Sequence, residues 1–351
     1  MRESENEIDF ETIKNFQIRY SQFVAQQTSS TQSGYDLCRA DLTKLSYGME
    51  LFDLYFPSLQ ANGIIEIAGE AGSGKSQICM QILTLAMVYY KLPCYYITDK
   101  RFMFTERLQS MEKYFCELLE IEPIDVCSRL NIAKVDTFEQ FQSVLQQLNS
   151  KNIKMFEKKQ QMETTKYEDD SEIDITRVVV IDCIGSIFRN SFEDKYDQRS
   201  EGISWTGTML QELVDKGCIV ITTNEAVDKV DDFETNNHYD FLSMYSNLQD
   251  LTISTGLDVN CDGKVMTSPS GIHWGYFVTH RLFLFKTQDQ IGHYWDSFTE
   301  ETQMQLNELP EELRSTLIRK CVINKSNDYE KGLCLEFCIL PSHVCAIERK
   351  D

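Results

Sequence analysis

The sequence of 351 residues has no apolar run long enough to cross a bilayer, and no segment with the pattern of a secretory signal. We therefore expect no association with a membrane. We also expect a reducing compartment, the cytosol or the nucleus, in which cysteines stay unpaired.

An excess of positive charge is also missing. The chain has 34 lysines and arginines against 55 aspartates and glutamates, so that its formal net charge is −21 and its pI about 4.7. This composition excludes a generally basic nucleic-acid binder. Any contact with DNA has to use a local basic patch, or a partner has to supply the positive charge.

Paired C-x-x-C motifs are absent, although the chain has 12 cysteines. Without such pairs a zinc site is not expected. Cys79 and Cys94 lie in apolar patterns, where a free cysteine behaves as a small hydrophobic residue. Cys334 and Cys338 alternate with apolar residues in a way that is typical of a strand, which argues against a metal site with the nearby Cys345.

Residues 69–76 carry the most informative motif, G-x-x-x-x-G-K-[ST]. The apolar run Gly63–Ala68 before it predicts a buried strand, and the pattern from Gln77 to about Tyr90 predicts a helix. Strand, glycine-rich turn and helix in this order are typical of a phosphate-binding loop. The residues expected to bind the nucleotide are Gly69, Glu70, Ala71, Gly72, Ser73, Gly74, Lys75 and Ser76.

The residue types of this loop suit phosphate chemistry. Glycines let backbone N–H groups turn inward around phosphate oxygens, and the N-terminus of the following helix adds a partial positive charge. Lys75 is placed for the β- and γ-phosphates, and the Ser76 hydroxyl for Mg²⁺. The loop therefore predicts that the chain binds a nucleotide through its phosphates, together with Mg²⁺.

A second strand supplies the acid that such a magnesium site needs. The apolar run Arg177–Asp182 ends in an aspartate, which is the Walker-B pattern, and Asp182 would hold Mg²⁺ directly or through water. Cys94–Thr98 and Cys218–Glu225 are two further predicted strands. We expect a parallel sheet that binds its ligand at the carboxyl edge of the strands.

The chain is predicted to consist of an N-terminal segment and linker, residues 1–44, and a core, residues 45–351. Within the core, a charged stretch near 157–174 predicts a solvated, mobile insertion. A polar stretch near 228–270 predicts a long loop region.

Periodicity in the rest of the core predicts more elements. Asp136–Leu148 reads as an amphipathic helix. Arg281–Phe285, Cys321–Ile323 and Leu333–Leu340 read as strands that extend the sheet as antiparallel hairpins. The predicted fold class is therefore α/β, with a mostly parallel sheet and antiparallel strands at its C-terminal end.

The order of these motifs resembles that of the RecA-type recombinases of eukaryotes, and most closely their paralogues that form no filaments. The resemblance covers roughly residues 45–351. It rests on Leu45, Ser46, Gly48 and Asp53, on Gly63–Gly69, Gly74–Gln77, Tyr96–Thr98, Glu106–Leu108 and Val179–Asp182, and on Phe188, Arg189, Asn224, Gly271, Ile272, Trp274 and Arg281. It implies a RecA-like P-loop core that binds ATP and Mg²⁺, with a twisted central sheet flanked by helices.

The resemblance also implies a function in the nucleus, in homologous recombination, double-strand-break repair and meiosis. Such paralogues pair with another paralogue and assist the main strand-exchange recombinase, and they contact DNA through the complex. Two alternatives remain open: an autonomous DNA-dependent ATPase that forms its own filaments, and a P-loop kinase that acts on a small molecule. The acidic composition argues against the former, and we find no motif for the acceptor pocket of the latter.

The sequence departs from the family pattern at two catalytic positions. The family has a glutamate after the second strand that activates the attacking water. This chain has Asp99 there, which is either that acid or a surface aspartate at a strand end, and a one-residue insertion before Arg107 would place Lys100 at the site instead. The family also has a glutamine that senses the γ-phosphate, whereas this chain has Glu225 after Asn224. A carboxylate repels phosphate unless a cation intervenes, so we expect ATP binding with weak hydrolysis that depends on a partner.

The sequence also suggests roles for one further residue and one further segment. Arg281 would face a partner or DNA, or else pair with a surface carboxylate. Phe23–Ala25 resembles the segment with which recombinase linkers dock into a partner, although its spacing is one residue short; the alternative is an amphipathic helix over Ile13–Gln26.

Overall fold

The computed structural model describes residues 44–100, 105–123, 125–163, 178–192, 195–228, 258–261, 264–267, 271–307, 314–326 and 329–350. The strands are β1 (Ile64–Gly69), β2 (Cys94–Thr98), β3 (Leu130–Lys134), β4 (Val178–Asp182), β5 (Ile219–Glu225), β6 (Val227–Asp228), β7 (Asp258–Cys261), β8 (Lys264–Thr267), β9 (Val278–Gln290), β10 (Leu317–Lys325), β11 (Cys334–Ile339) and β12 (Val344–Ile347). The helices are α1 (Glu50–Tyr55), α2 (Lys75–Val88), α3 (Thr105–Leu118), α4 (Val126–Arg129), α5 (Phe138–Glu163), α6 (Ile184–Phe192), α7 (Tyr196–Asp215), α8 (Gly271–Phe277) and α9 (Glu300–Asn307), with a 3-10 helix at Ile291–Ser297.

The fold is α/β, built on a nine-stranded sheet in the order β12-β11-β10-β9-β1-β5-β4-β2-β3. The strands from β9 to β3 pair in parallel, and β10, β11 and β12 continue the sheet in antiparallel pairs. The predicted class, a mostly parallel sheet with antiparallel strands at the C-terminal end, is confirmed. The predicted strand Arg281–Phe285 lies in β9, which pairs antiparallel with β10 as expected and in parallel with β1 on its other side, so that it joins the two parts of the sheet.

Helices cover both faces of this sheet because the parallel strands are apolar on both sides. In β1, Ile65 and Ile67 pack with residues of α2 in one core cluster, whereas Ile64 belongs to a second cluster with Phe188 of α6 and Leu210 of α7. The predicted strands match the structure within a few residues. No helix in the described ranges is both long and apolar enough to cross a membrane.

Three predicted features differ from the structure or fall outside it. The helix predicted at Asp136–Leu148 is α5, which continues to Glu163, so the first part of the expected insertion near 157–174 is helical. Its glutamates, lysines and glutamines are strong helix formers, which a prediction from charge alone overlooks. The rest of that insertion, and residues 1–43 with the Ile13–Gln26 helix and the Phe23–Ala25 segment, lie outside the described residues.

We predicted a long loop near 228–270, and this prediction is wrong for the residues there that the structure describes. There, β6, β7 and β8 form a small antiparallel sheet. Its apolar residues Val259 and Met266 are buried against Phe283 and Ala68 of the central sheet. Burial of two apolar residues among polar neighbours explains why composition alone did not predict the strands.

Cysteines serve as packing residues in this fold. Cys79, Cys94, Cys218 and Cys321 are buried, and every cysteine in the described ranges is free of disulfides. Cys334 and Cys338 lie in β11, which confirms the strand that the apolar alternation predicts.

Arg281 is buried in the core, which corrects both sequence expectations for it. Arg281 and Glu66 are 0% exposed, and the Arg281 Nε donates to the Glu66 carboxylate across the β1–β9 pair. The same carboxylate accepts hydrogen bonds from Asn224 Nδ2 at 2.8 Å and from Trp274 Nε1 at 2.7 Å. A buried charge needs such partners, so the Glu66 carboxylate joins β1 to Arg281 of β9, to β5 and to α8, and Arg281 is buried away from the surface.

We expect Arg281→Ala to lower the free energy of unfolding by about 3–5 kcal/mol, because it leaves the Glu66 carboxylate buried without its counter-charge. Chemical denaturation measures this change. Lys113→Ala is the control, since the Lys113–Glu117 pair is 78% and 69% exposed and should contribute less than about 1 kcal/mol. Equal losses in the two variants would contradict the buried role of Arg281.

Candidate functional site

The candidate site lies at the carboxyl edge of the parallel strands. The turn of residues 70–74 leaves β1 there and enters α2, and the ends of β4 and β5 lie beside it. Because parallel strands all end at one edge, residues far apart in sequence converge on this turn. The predicted arrangement of strand, turn and helix is present.

Two glycines give the turn its shape. Gly72 has a φ of 76° and Gly74 a φ of 110°, in the left-handed region that other residues rarely adopt. A Cβ on Gly74 would also come within 2.9 Å of Ile339 Cδ1. α2 begins directly after Gly74, and no side chain caps it by a hydrogen bond. Its first N–H groups therefore remain available to an anion.

Lys75 is held inside the turn by backbone carbonyls. Its Nζ donates to Gly69 O and to Glu70 O, both at 2.8 Å. Burial lowers the pKa of Lys75, and the nearby Cys183, Asp182 and Glu225 oppose that shift. In the described part of the chain, the Lys75 amine thus donates to two backbone carbonyls, and an anion in the turn could accept a further hydrogen bond from it.

The Asp182 carboxylate accepts hydrogen bonds from side chains of three other elements. Ser76 Oγ at the start of α2 donates to Oδ2 at 2.6 Å, and Thr223 Oγ1 of β5 donates to Oδ1 at 2.5 Å. The Tyr96 hydroxyl of β2 also donates to Oδ2. Burial, reinforced by Asp182, raises the pKa of Tyr96 far above its ordinary value, so that it stays a hydrogen-bond donor.

A cavity of about 590 Å³ opens above this network. One wall is the glycine turn with Lys75 and Ser76, and the floor carries Asp182 and Glu225. Ile339–Pro341, at the connection between β11 and β12, add an apolar wall, in which Ile339 lies beside Gly74 of the turn. A polar end that suits an anion and an apolar wall together fit an amphipathic small molecule.

Arg107 of α3 lines the cavity next to this apolar wall. Its Nε donates to Gln77 Oε1 at 2.6 Å, and its guanidinium also donates to the carbonyls of Pro341 and His343. Partial burial lowers the pKa of Arg107 to about 10. It stays charged at neutral pH and adds a cation to the lining.

The two predicted catalytic residues differ in position. Asp99 follows β2 but is not a lining residue of the cavity, and its Oδ1 is buried without a hydrogen-bond partner among the described residues. Its neighbour Lys100 does line the cavity. Glu225 lines the cavity too, and it forms an ion pair with Arg189 of α6.

The predicted loop residues and Asp182 are brought together, because Ser76 contacts Asp182 directly. Sequence reasoning gave no role to Tyr96, Thr223, Arg107 or Arg189 in this site. Thr223 belongs to the polar end of β5, which was visible in the sequence. The roles of Tyr96 and Arg107 could be recognised only from the side-chain geometry. A tyrosine in a strand is a common core residue, and an arginine on a helix is a common surface residue.

The scan against protein-family models finds no match for this chain, and no curated protein matches its sequence significantly.

We expect Asp182→Ala to lower the free energy of unfolding by about 2–4 kcal/mol even without ligand, because three buried or half-buried hydroxyls lose their common acceptor. Thermal or urea unfolding measures the loss. Asp215→Ala, at the exposed end of α7, provides the control and should change stability by less than about 0.5 kcal/mol. A neutral Asp182→Ala would show that the network contributes nothing to the fold.

Proposed function

We propose that this chain is an ATP-binding, RecA-like recombinase paralogue of the X-ray repair cross-complementing protein three type, which assists homologous recombination. The observation that carries the nucleotide site is the contact between Ser76 and Asp182 beside Lys75 and the glycine turn. The two motifs lie 106 residues apart in the chain, and their meeting at one sheet edge is what a nucleotide site requires.

A nucleoside triphosphate suits the chemistry of the cavity. Its phosphates match the N–H groups of the turn and the cations Lys75 and Lys100, whereas its base matches the apolar wall near Pro341. The volume of about 590 Å³ lies in the range of small-molecule sites. Three basic side chains line the cavity against two acidic ones, although the chain as a whole is acidic, and this supports an anionic ligand there.

Ser76 and Asp182 are the residues that would hold Mg²⁺. In the described ranges, no group of three or more histidines, cysteines, aspartates or glutamates is arranged for a metal ion. A hydroxyl and one carboxylate fit Mg²⁺, which takes few protein ligands and completes its shell with water and phosphate oxygens. When bound, the metal neutralises phosphate charge.

The recombination role rests on the resemblance and on the charge of the chain. The α/β fold with its mostly parallel sheet is compatible with a RecA-like core. With a net charge of −21, the chain by itself should bind DNA poorly. This supports a heterodimer with another paralogue, which engages DNA in the nucleus and helps the main recombinase. A DNA-binding titration tests this proposal. It compares the purified chain with the co-purified complex, each with and without ATP.

We expect Lys75→Ala to weaken MgATP binding by roughly 100-fold, because charge-assisted hydrogen bonds to phosphate are lost. Calorimetry or a fluorescent ATP analogue measures the affinity. Lys113→Ala removes the same charge from the exposed surface of α3 and should leave the affinity unchanged. Unaltered affinity in Lys75→Ala would refute the nucleotide site.

We also expect the purified chain to turn over ATP slowly, because the acid after β2 does not line the cavity. Asp99→Ala should then change this low rate by less than about twofold, whereas loss of a working general base costs roughly 100-fold or more. Phosphate release, measured alone and with a co-purified paralogue and DNA, gives the rates. Fast turnover by the chain alone would instead support an autonomous, filament-forming ATPase.

A further inference from the structure

Glu225 places a carboxylate in the wall of the cavity that would hold a triphosphate. It is the last residue of β5, and its Cα pairs in register with Gly69, where the glycine turn begins. The next residue, Ala226, donates its N–H to Gly69 O at 2.9 Å, which fixes this strand end against the turn. A lone negative charge at this position would repel an anionic ligand.

Arg189 supplies the counter-charge for this carboxylate. Its Nη2 donates to Glu225 Oε2, and the two side chains are 45% and 32% exposed. Arg189 is not among the lining residues, so it reaches the cavity only through Glu225. It lies on α6, the helix that begins two residues after Asp182, so the pair is attached to the same strand end as the acid of the site.

The three cations of the lining, Lys75, Lys100 and Arg107, form no ion pair with Glu225 in the part of the chain that the structure describes. Lys75 donates to the carbonyls of Gly69 and Glu70, and Arg107 donates to Gln77 and to two carbonyls near β12. Within the described residues, the ion pair of Glu225 is therefore the one with Arg189. Removal of Arg189 would leave an unpaired carboxylate facing the ligand.

We propose that Arg189 is a positioning and specificity-determining residue, which neutralises Glu225 and thereby lets the cavity accept a triphosphate in preference to a diphosphate. This inference rests on the proposed nucleotide site. An unpaired Glu225 weakens ATP binding more than ADP binding, because ATP carries more negative charge. Since the pair is part-exposed, the ratio of ATP to ADP affinity should fall by about 3- to 10-fold.

The test compares ATP and ADP affinities, both with Mg²⁺, for the full chain and five variants. Arg189→Gln should show the lowered ratio, and Arg189→Lys should recover most of it. Glu225→Gln should bind ATP at least as well as the unaltered chain, and Arg189→Gln combined with Glu225→Gln should match Glu225→Gln within about twofold. Lys113→Gln makes the same change of charge at an exposed pair outside the cavity and should leave the ratio unchanged.

Salt provides a readout that a merely structural role would not affect. The deficit of Arg189→Gln should shrink as ionic strength is raised from roughly 50 to 500 mM, because exposed charges are screened. An unchanged ratio in Arg189→Gln would overturn the inference, and so would a double variant that binds as weakly as Arg189→Gln. If the unaltered chain binds neither nucleotide, the proposed function itself fails, and this inference fails with it.

Discussion

The Asp182 carboxylate is the constraint on which the site depends. It accepts hydrogen bonds from Ser76, Tyr96 and Thr223, which lie at the start of α2, in β2 and in β5. One buried acid thereby fixes the first turn of the helix against three neighbouring strands. The glycine turn keeps its shape because both of its ends, β1 and α2, are held by the same sheet edge.

A second acid, Glu66, likewise connects neighbouring strands deeper in the sheet. It joins β1 to Arg281 of β9 and to Asn224 of β5, just one residue before Glu225. The strand ends that line the cavity are therefore connected to a buried ionic core. Such pairs do little for net stability, but they penalise any arrangement in which one member is left alone. The register of β1 with its two neighbours is thus tied to the position of the site.

Local patterns predicted much of this structure, and long-range pairing accounts for the rest. The boundaries of β2 and the Gly69–Ser76 motif could be predicted because each depends on neighbours in the chain. Arg281 could not, since its partner Glu66 lies 215 residues away and a strand arginine alone gives no sign of burial. Whether Asp99 or Lys100 lines the cavity could also be determined only from the structure, because the chain direction after β2 decides which side chain reaches the cavity.

The central claim is that the turn of residues 70–74 and the start of α2 bind the phosphates of MgATP. Hydrogen–deuterium exchange of the full chain, with and without MgATP, tests it most directly. The account predicts slower exchange in the peptide that covers Gly69–Gln77, whose N–H groups would bind phosphate, and no protection there by adenosine. Protection at another part of the surface with unchanged exchange in Gly69–Gln77 would contradict it.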